Sequence, residues 1–233
     1  LSPGADPIRP PLPGIDLPGV HTLRNIPDMD AIKKAIDNSQ VKNAIVVGGG
    51  YIGLEMAEAM IERDVETSLV ELLPQVMGTV DPEMATPLHQ QLRLNGIGLH
   101  LNTSVTEIKQ NESGLHVQLS NGDLLKTDMV IMAVGVRPET KLAKEAGLQI
   151  GPRGGIKVNN KMQTSAANIY AVGDAIEVTD FVGGFEALIP LAGPANRQGR
   201  IAADNICGIE STYKATQGTA ICKVFDLAVA CTG

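Results

Sequence analysis

Aromatic side chains are scarce in this chain: they make up 3% of its 233 residues, and tryptophan is absent. A core built without them must come from Ala, Val, Ile, Leu and Met, and the 25 glycines point to many close backbone approaches. Long apolar runs are also missing. No stretch approaches the roughly 18 consecutive apolar residues of a spanning helix, which excludes a transmembrane protein. Positive charge is in deficit, with 19 Lys and Arg against 26 Asp and Glu, a formal net charge of −7 and a sequence pI near 5.1. Such a chain has no basic footprint for a phosphate backbone, so neither nucleic acid nor a membrane surface is an expected partner. The cysteines Cys207, Cys222 and Cys231 fit neither a disulfide framework nor a C-x-x-C redox or zinc pattern. They read as reduced thiols in a cytoplasmic protein. His21, His89, His100 and His116 fall at no metal-binding spacing, so no metal site is expected. The chain starts at Leu1, without a basic segment followed by an apolar stretch, and is expected to be part of a longer protein.

What is present is a globular composition, 43% hydrophobic and 19% charged. Seven of the 14 prolines crowd into residues 1–27, where they oppose helix interiors and central strands, so this stretch is expected to be an extended connector. Asp28 is the expected cap of a helix over 29–38, on which Met29, Ile32, Ala35 and Ile36 recur at helical spacing. From Val41 the pattern is strand 42–48, glycine-rich turn, helix 51–63 and strand 66–72, a βαβ unit that implies parallel pairing. Asp81-Pro82-Glu83 starts a helix that runs to Asn95-Gly96. Short strands follow at 97–101, 104–110, 114–120 and 123–127, the last two joined by Asn121-Gly122 in an expected type I′ turn. The run from Met129 to Val134 is apolar on both faces, as a central parallel strand requires, and Gly135 closes it. The expected fold class is α/β, a Rossmann-like domain with a parallel sheet and a β-meander.

Gly48-Gly49-Gly50-Tyr51-Ile52-Gly53 satisfies G-x-G-x-x-G directly after a strand and directly before a helix. Gly48 permits the tight turn, Gly50 lets a pyrophosphate approach the backbone, and Gly53 lets the helix pack closely on the strand. Eighteen residues beyond Gly53, the second strand ends in Glu71, whose carboxylate suits the adenosine ribose 2′-OH of NAD(H). Residues 72–75 offer no Arg or Lys to pair a 2′-phosphate. Ala171-Val172-Gly173-Asp174 places an acid behind a glycine at the end of an apolar segment, where it can accept from a sugar or ribityl hydroxyl. In the run from Leu191 to Arg200, Pro194 marks the expected helix start, and Ala195, Gly199, Ala202 and Ile206 form a face of mostly small residues.

Taken in order, the Pro-rich start, GGGYIGLE, the strand ending in Glu, the meander, MAVGVRPE, IYAVGD and LAGPANRQGR resemble the flavin-dependent pyridine nucleotide-disulfide oxidoreductases. The resemblance covers essentially the whole chain and is greatest to the single-cysteine branch, which holds coenzyme A-disulfide reductases, NADH-dependent persulfide or polysulfide reductases, NADH oxidases and peroxidases. It implies FAD and NAD(H) as cofactors. Gly48, Gly50, Ile52, Gly53 and Glu71 would hold NADH, with Gly135 lining the same cleft. Tyr51 matches a gate over the nicotinamide pocket, and Glu55 a glutamate beneath the nicotinamide. Gly173 and Asp174 would meet the FAD ribityl chain, and Leu191 and Ala192 the flavin ring, through the Ala192 N–H and flavin O2.

None of the three cysteines matches the redox sulfur of that family, and the flavin-domain G-x-G-x-x-G is missing upstream of Val41. The resemblance therefore implies a central fragment. Residues 1–40 would be a partial FAD-domain segment and connector, 41–136 the NAD(H)-binding domain, 137–214 the returning FAD-domain segment and 215–233 the start of a dimerisation domain. The expected parent is a homodimer that passes hydride from NADH to FAD and on to a disulfide, persulfide or polysulfide. The fragment alone is expected to be inactive, with compromised FAD binding. Two alternatives stay open: an NADH oxidase or peroxidase with oxygen or peroxide as acceptor, and a non-enzymatic NADH-binding module.

Overall fold

A computed structural model of the chain describes residues 1–112 and 114–233. The first half runs β1 (Ala5–Pro7), β2 (Val20–Thr22), α1 (Ile26–Asp37), β3 (Asn43–Val47), α2 (Tyr51–Ile61), β4 (Glu66–Val70), α3 (Pro82–Leu94) and β5 (Gly98–His100). The antiparallel strands β6 (Val105–Asn111), β7 (Gly114–Leu119) and β8 (Leu124–Thr127) precede β9 (Met129–Met132) and β10 (Val136–Pro138). Then come α4 (Lys141–Glu145), a single 3-10 turn (Gly173–Ala175), β11 (Val178–Thr179), β12 (Glu186–Ala187), α5 (Ala192–Ile206), β13 (Thr219–Val224) and β14 (Leu227–Thr232). Two compact units result: Pro7–Gly135 with Ile221–Val229, and Leu1–Asp6 with Val136–Ala220 and Ala230–Gly233.

The larger unit is built on a parallel sheet of order β2-β9-β3-β4-β5. Its central strands are apolar on both faces because both faces are covered. Ala44 and Val46 of β3 pack with Leu54, Met60, Leu88 and Leu92 from the helices, whereas Ile45 and Val47 pack with Leu115, Val117 and Leu119 of the meander. The fully buried Leu54, Leu88 and Leu92 each contribute about 1.5–3 kcal/mol of transfer free energy. Cys222, Val224 and Val229 of the β13–β14 hairpin join the same core as Val46, and Phe225 N–H donates to Glu58 Oε2 on α2 at 2.9 Å.

Several local expectations change. The proline-rich start is more than a connector: past Pro18, β2 pairs in parallel with β9, Val20 lying opposite Val130, and forms an outer strand of the sheet. Helix α1 begins at Ile26, ahead of the expected residue 29, and its cap is Asn25 in place of Asp28. Asn25 Oδ1 accepts from Asp28 N–H at 3.0 Å while Asp28 Oδ2 accepts from Asn25 N–H at 3.1 Å, a reciprocal capping box. The β7–β8 turn is not type I′, which needs positive φ at both central residues. Only Gly122 has it, at +95°, and Gly122 N–H bonds Leu119 O at 3.1 Å while Leu119 N–H bonds Asp123 O at 2.9 Å. That is a three-residue loop with glycine at the left-handed position.

The smaller unit has its own core, in which Ile156, Met162, Ala171, Ala175, Ile176, Ile201 and Ala202 are buried. Helix α5 starts at Ala192, capped by Leu191, so Pro194 is its third residue and not its first. A proline fits there because first-turn N–H groups have no intrahelical partner. The inward face is Gln198, Ile201 and Ala202, and Ile206 is 64% exposed, outside the face expected of it. No helix among the described residues is long and apolar enough to cross a membrane.

Candidate functional site

At the C-terminal end of β3 the chain must turn sharply to start α2, and three glycines there meet different demands. Gly48 takes φ +112°, and a Cβ on it would lie 2.3 Å from Ala133 O at the end of β9. A Cβ on Gly53 would lie 1.8 Å from Gly48 O, so α2 can sit against the turn only without one. Gly50, the N-cap of α2, has φ −81°, and a Cβ there would meet nothing within 4 Å. The fold thus requires glycine at 48 and 53, and nothing in the chain requires it at 50. Gly50 faces open space at the start of a helix with no side-chain cap and no acid in its first turn, the arrangement that receives an anion.

Glu71 follows β4, which pairs with β3 in register. Its Oε2 accepts from Gly49 N–H at 2.5 Å and its Oε1 from Leu73 N–H at 2.7 Å. Each oxygen of a carboxylate has two acceptor sites, so one remains on each for a diol. Tyr51 opens α2, half-buried, with the exposed Glu55 one turn on and the exposed Ile52 beside it. Gly135 closes the loop after β9 with φ +106°, and its carbonyl accepts from Ile8 N–H at 2.9 Å.

In the smaller unit, Gly173 takes φ +80° and its N–H donates to Gln198 Oε1 at 2.8 Å, which fixes the 3-10 turn on α5. Gln198 is 2% exposed, and the sequence reading passed over it; the signal was a lone amide on a helix face of small residues. The turn presents Asp174, whose carboxyl burial pushes up from its ordinary range. Leu191 and Ala192 form the start of α5, which has no side-chain cap and no acid in its first turn. A cavity of about 510 Å³ adjoins it, bordered by Gly193, Phe181, Arg197 and Lys214. Neither cation makes an ion pair among the described residues, so the cavity is electropositive. Cys207 is exposed, Cys222 buried and Cys231 half-buried, and no group of three or more metal-ligating side chains is found among the described residues.

A glycine turn between a parallel strand and a helix, with a carboxylate at the end of the next strand, defines a Rossmann-like dinucleotide-binding protein. The chain belongs to the pyridine nucleotide-disulphide oxidoreductase family, whose model matches residues 1–216. It is 44% identical over 234 residues to a protein named NADH oxidase from Methanocaldococcus jannaschii, covering 100% of this chain and 52% of that one. To the NAD(P)H sulfur oxidoreductase (CoA-dependent) of Pyrococcus furiosus it is 38% identical over 231 residues, covering 99% of this chain and 52% of the relative. Among solved structures, that of reduced Bacillus anthracis CoADR-RHD matches with a TM-score of 0.96 at 51% identity, covering 100% of this chain and 42% of that one. The chain spans about half the length of the curated relatives it matches.

Proposed function

We propose that the protein to which this chain belongs is an FAD-dependent oxidoreductase that takes hydride from NADH and passes the electrons to a disulfide, persulfide or polysulfide. The observation that carries the NADH half is the contrast at the turn: Gly48 and Gly53 are fixed by internal contacts, and Gly50 stands open beside a helix N-terminus. Glu71 binds the adenosine ribose diol through its free acceptor sites and repels a 2′-phosphate, which selects NADH. Tyr51 screens the nicotinamide pocket and Glu55 lies beneath it, with Ile52 and Gly135 lining the cleft. Asp174, whose carboxylate receives no donor among the described residues, would accept from a ribityl hydroxyl. Ala192 N–H would donate to the flavin O2, and the start of α5, from Leu191, without a side-chain cap or an acid in its first turn, would favour negative charge on the ring. FAD held by these residues would supply two-electron redox chemistry between the nicotinamide and the sulfur acceptor.

In this reading the unit Pro7–Gly135, β2 and α1 included, carries the NADH side, residues 1–6 and 136–214 the flavin side, and 215–233 begin a dimerisation domain of a cytoplasmic homodimer. The name of the Pyrococcus relative supports a sulfur acceptor, and the electropositive cavity beside α5 suits an anionic one. The 44% identity to a protein named NADH oxidase favours a second reading, with oxygen as acceptor. Assay of the full-length protein decides between them. NADH consumption that depends on an added disulfide or polysulfide under anaerobic conditions is the expected result. Consumption that needs only oxygen would replace the first reading by the second.

A further inference from the structure

The segment between β4 and α3 ties the glycine turn to a histidine that no sequence motif selects. Val76 is 0% exposed and Met77 2%, so their N–H groups need protein acceptors in place of water. Met77 N–H donates to Gly49 O at 2.8 Å, and Gly49 N–H in turn donates to Glu71. Val76 N–H donates to Nε2 of His89, on α3, at 3.2 Å. Gln75 closes the segment on itself, donating to Val80 O at 2.8 Å. Two acceptors from outside therefore hold residues 76 and 77: a backbone oxygen of the glycine turn and an imidazole nitrogen.

An imidazole accepts at Nε2 only while neutral with its proton on Nδ1; the imidazolium has two donors and no acceptor. We propose that His89 is a positioning residue for the dinucleotide turn, its neutral Nε2 pinning Val76 and thereby Gly49 and Glu71, given that this turn binds a dinucleotide as proposed above. Acid that protonates His89 turns an acceptor into a donor facing a buried N–H, and the segment lets go. Burial, and after it Arg93 one turn along α3, hold the imidazole below its usual value, and no carboxylate contributes to the shift. The other ionisable groups of α3 and its cap lie at its start, Asp81 as the N-cap and Glu83 in the first turn. Leu72–Val80 carries no ionisable side chain, Glu71 before it is taken up by Gly49 and Leu73, and β5, which packs on α3, brings only His100.

The test titrates the purified chain with NAD⁺, which is stable in acid, from about pH 7.5 to about pH 5, in the wild type, His89→Gln and His89→Leu. Hydrogen-exchange protection factors for the Val76 and Met77 amides are measured alongside. A glutamine amide oxygen accepts at every pH and leucine at none. Wild-type affinity falls about fivefold or more across the range, His89→Gln holds within about twofold, and His89→Leu is already weakened about fivefold at neutral pH. Protection of the two amides follows the same pattern. A wild type flat in both readouts, a His89→Gln variant that keeps the wild-type pH dependence, or a His89→Leu variant with wild-type affinity and protection overturns the proposal. Absence of NAD⁺ binding at every pH overturns the dinucleotide reading instead, and the exchange data then still decide whether His89 holds Val76.

Discussion

Substituting the glycines of the turn one at a time separates those that the fold needs from the one a ligand needs. In Gly53→Ala the new Cβ would sit 1.8 Å from Gly48 O, so α2 must withdraw by more than 1 Å from a turn already fixed against Ala133. Overpacking of this kind against rigid backbone costs about 3 kcal/mol or more. For a chain of this size each kcal/mol lowers Tm by about 2–4 °C, so a fall of about 6 °C or more is expected, or failure to accumulate. Gly50→Ala meets no atom within 4 Å and keeps an allowed φ of −81°. Its reduced unfolded-state entropy stabilises by about 0.4–1 kcal/mol, and the poorer N-cap residue costs a similar amount. The net change stays within about 1 kcal/mol, or about 4 °C. NADH affinity nevertheless drops about tenfold or more, equivalent to about 1.4 kcal/mol, because the methyl occupies the space a pyrophosphate would use. Thermal unfolding followed by far-UV circular dichroism, and NADH titration by fluorescence, read the two effects separately. Unchanged NADH affinity in Gly50→Ala refutes the role given to the open glycine, and an unchanged Tm in Gly53→Ala refutes the packing argument.

Three further outcomes follow from the same geometry. Glu71→Arg flattens or reverses the preference for NADH over NADPH, measured by titration with both; Glu71→Gln, which keeps one acceptor oxygen, shifts the ratio less, and an unchanged ratio in Glu71→Arg refutes the selection by charge. Asp174 has a folded pKa raised by burial, so the stability linked to its protonated form is present in acid and lost as pH rises through the folded value. The ligand-free Asp174→Asn variant therefore melts above wild type near pH 7 and loses that advantage toward about pH 4, while flavin binding by the full-length protein weakens; equal melting at both pH values contradicts the burial penalty. Leu54→Ala, at a site with 0% exposure, lowers stability by about 2–5 kcal/mol in denaturant titration, and a loss well below that would mean the core around α2 collapses to fill the space.

The parallel sheet was legible because β3 and β9 are apolar on consecutive residues, a pattern with one physical reading when helices cover one face and a meander the other. Strand β2 was not, since its three residues follow a run of prolines and it pairs with β9, far along the chain. The capping box at Asn25 was readable in principle from an Asx residue three positions before Asp28, but Asp28 alone drew the assignment. Asn-Gly at 121–122 is compatible with two turn types, and the strand register selected the longer one. At the candidate site the glycine spacing and Glu71 stood out from sequence. The contact of Gly49 with Glu71, the Gln198 brace under Gly173 and the His89 bond to Val76 depend on which elements lie side by side, which local patterns do not encode.

The strand order also fixes when the sheet can be completed. Strand β9 sits between β2 and β3 and is, among the described residues, the only partner of β2, yet it is the last of the five to be synthesised. A growing chain therefore carries Val20–Thr22 as an unpaired strand and β3 with one bare edge until Met132 has emerged and the whole meander has been laid down. Such late, long-range pairing folds slowly and leaves sheet edges open to neighbouring chains in the meantime. Interruption of synthesis between residues 100 and 129 leaves a nascent chain whose β3–β4–β5 half-sheet has an apolar strand for its boundary.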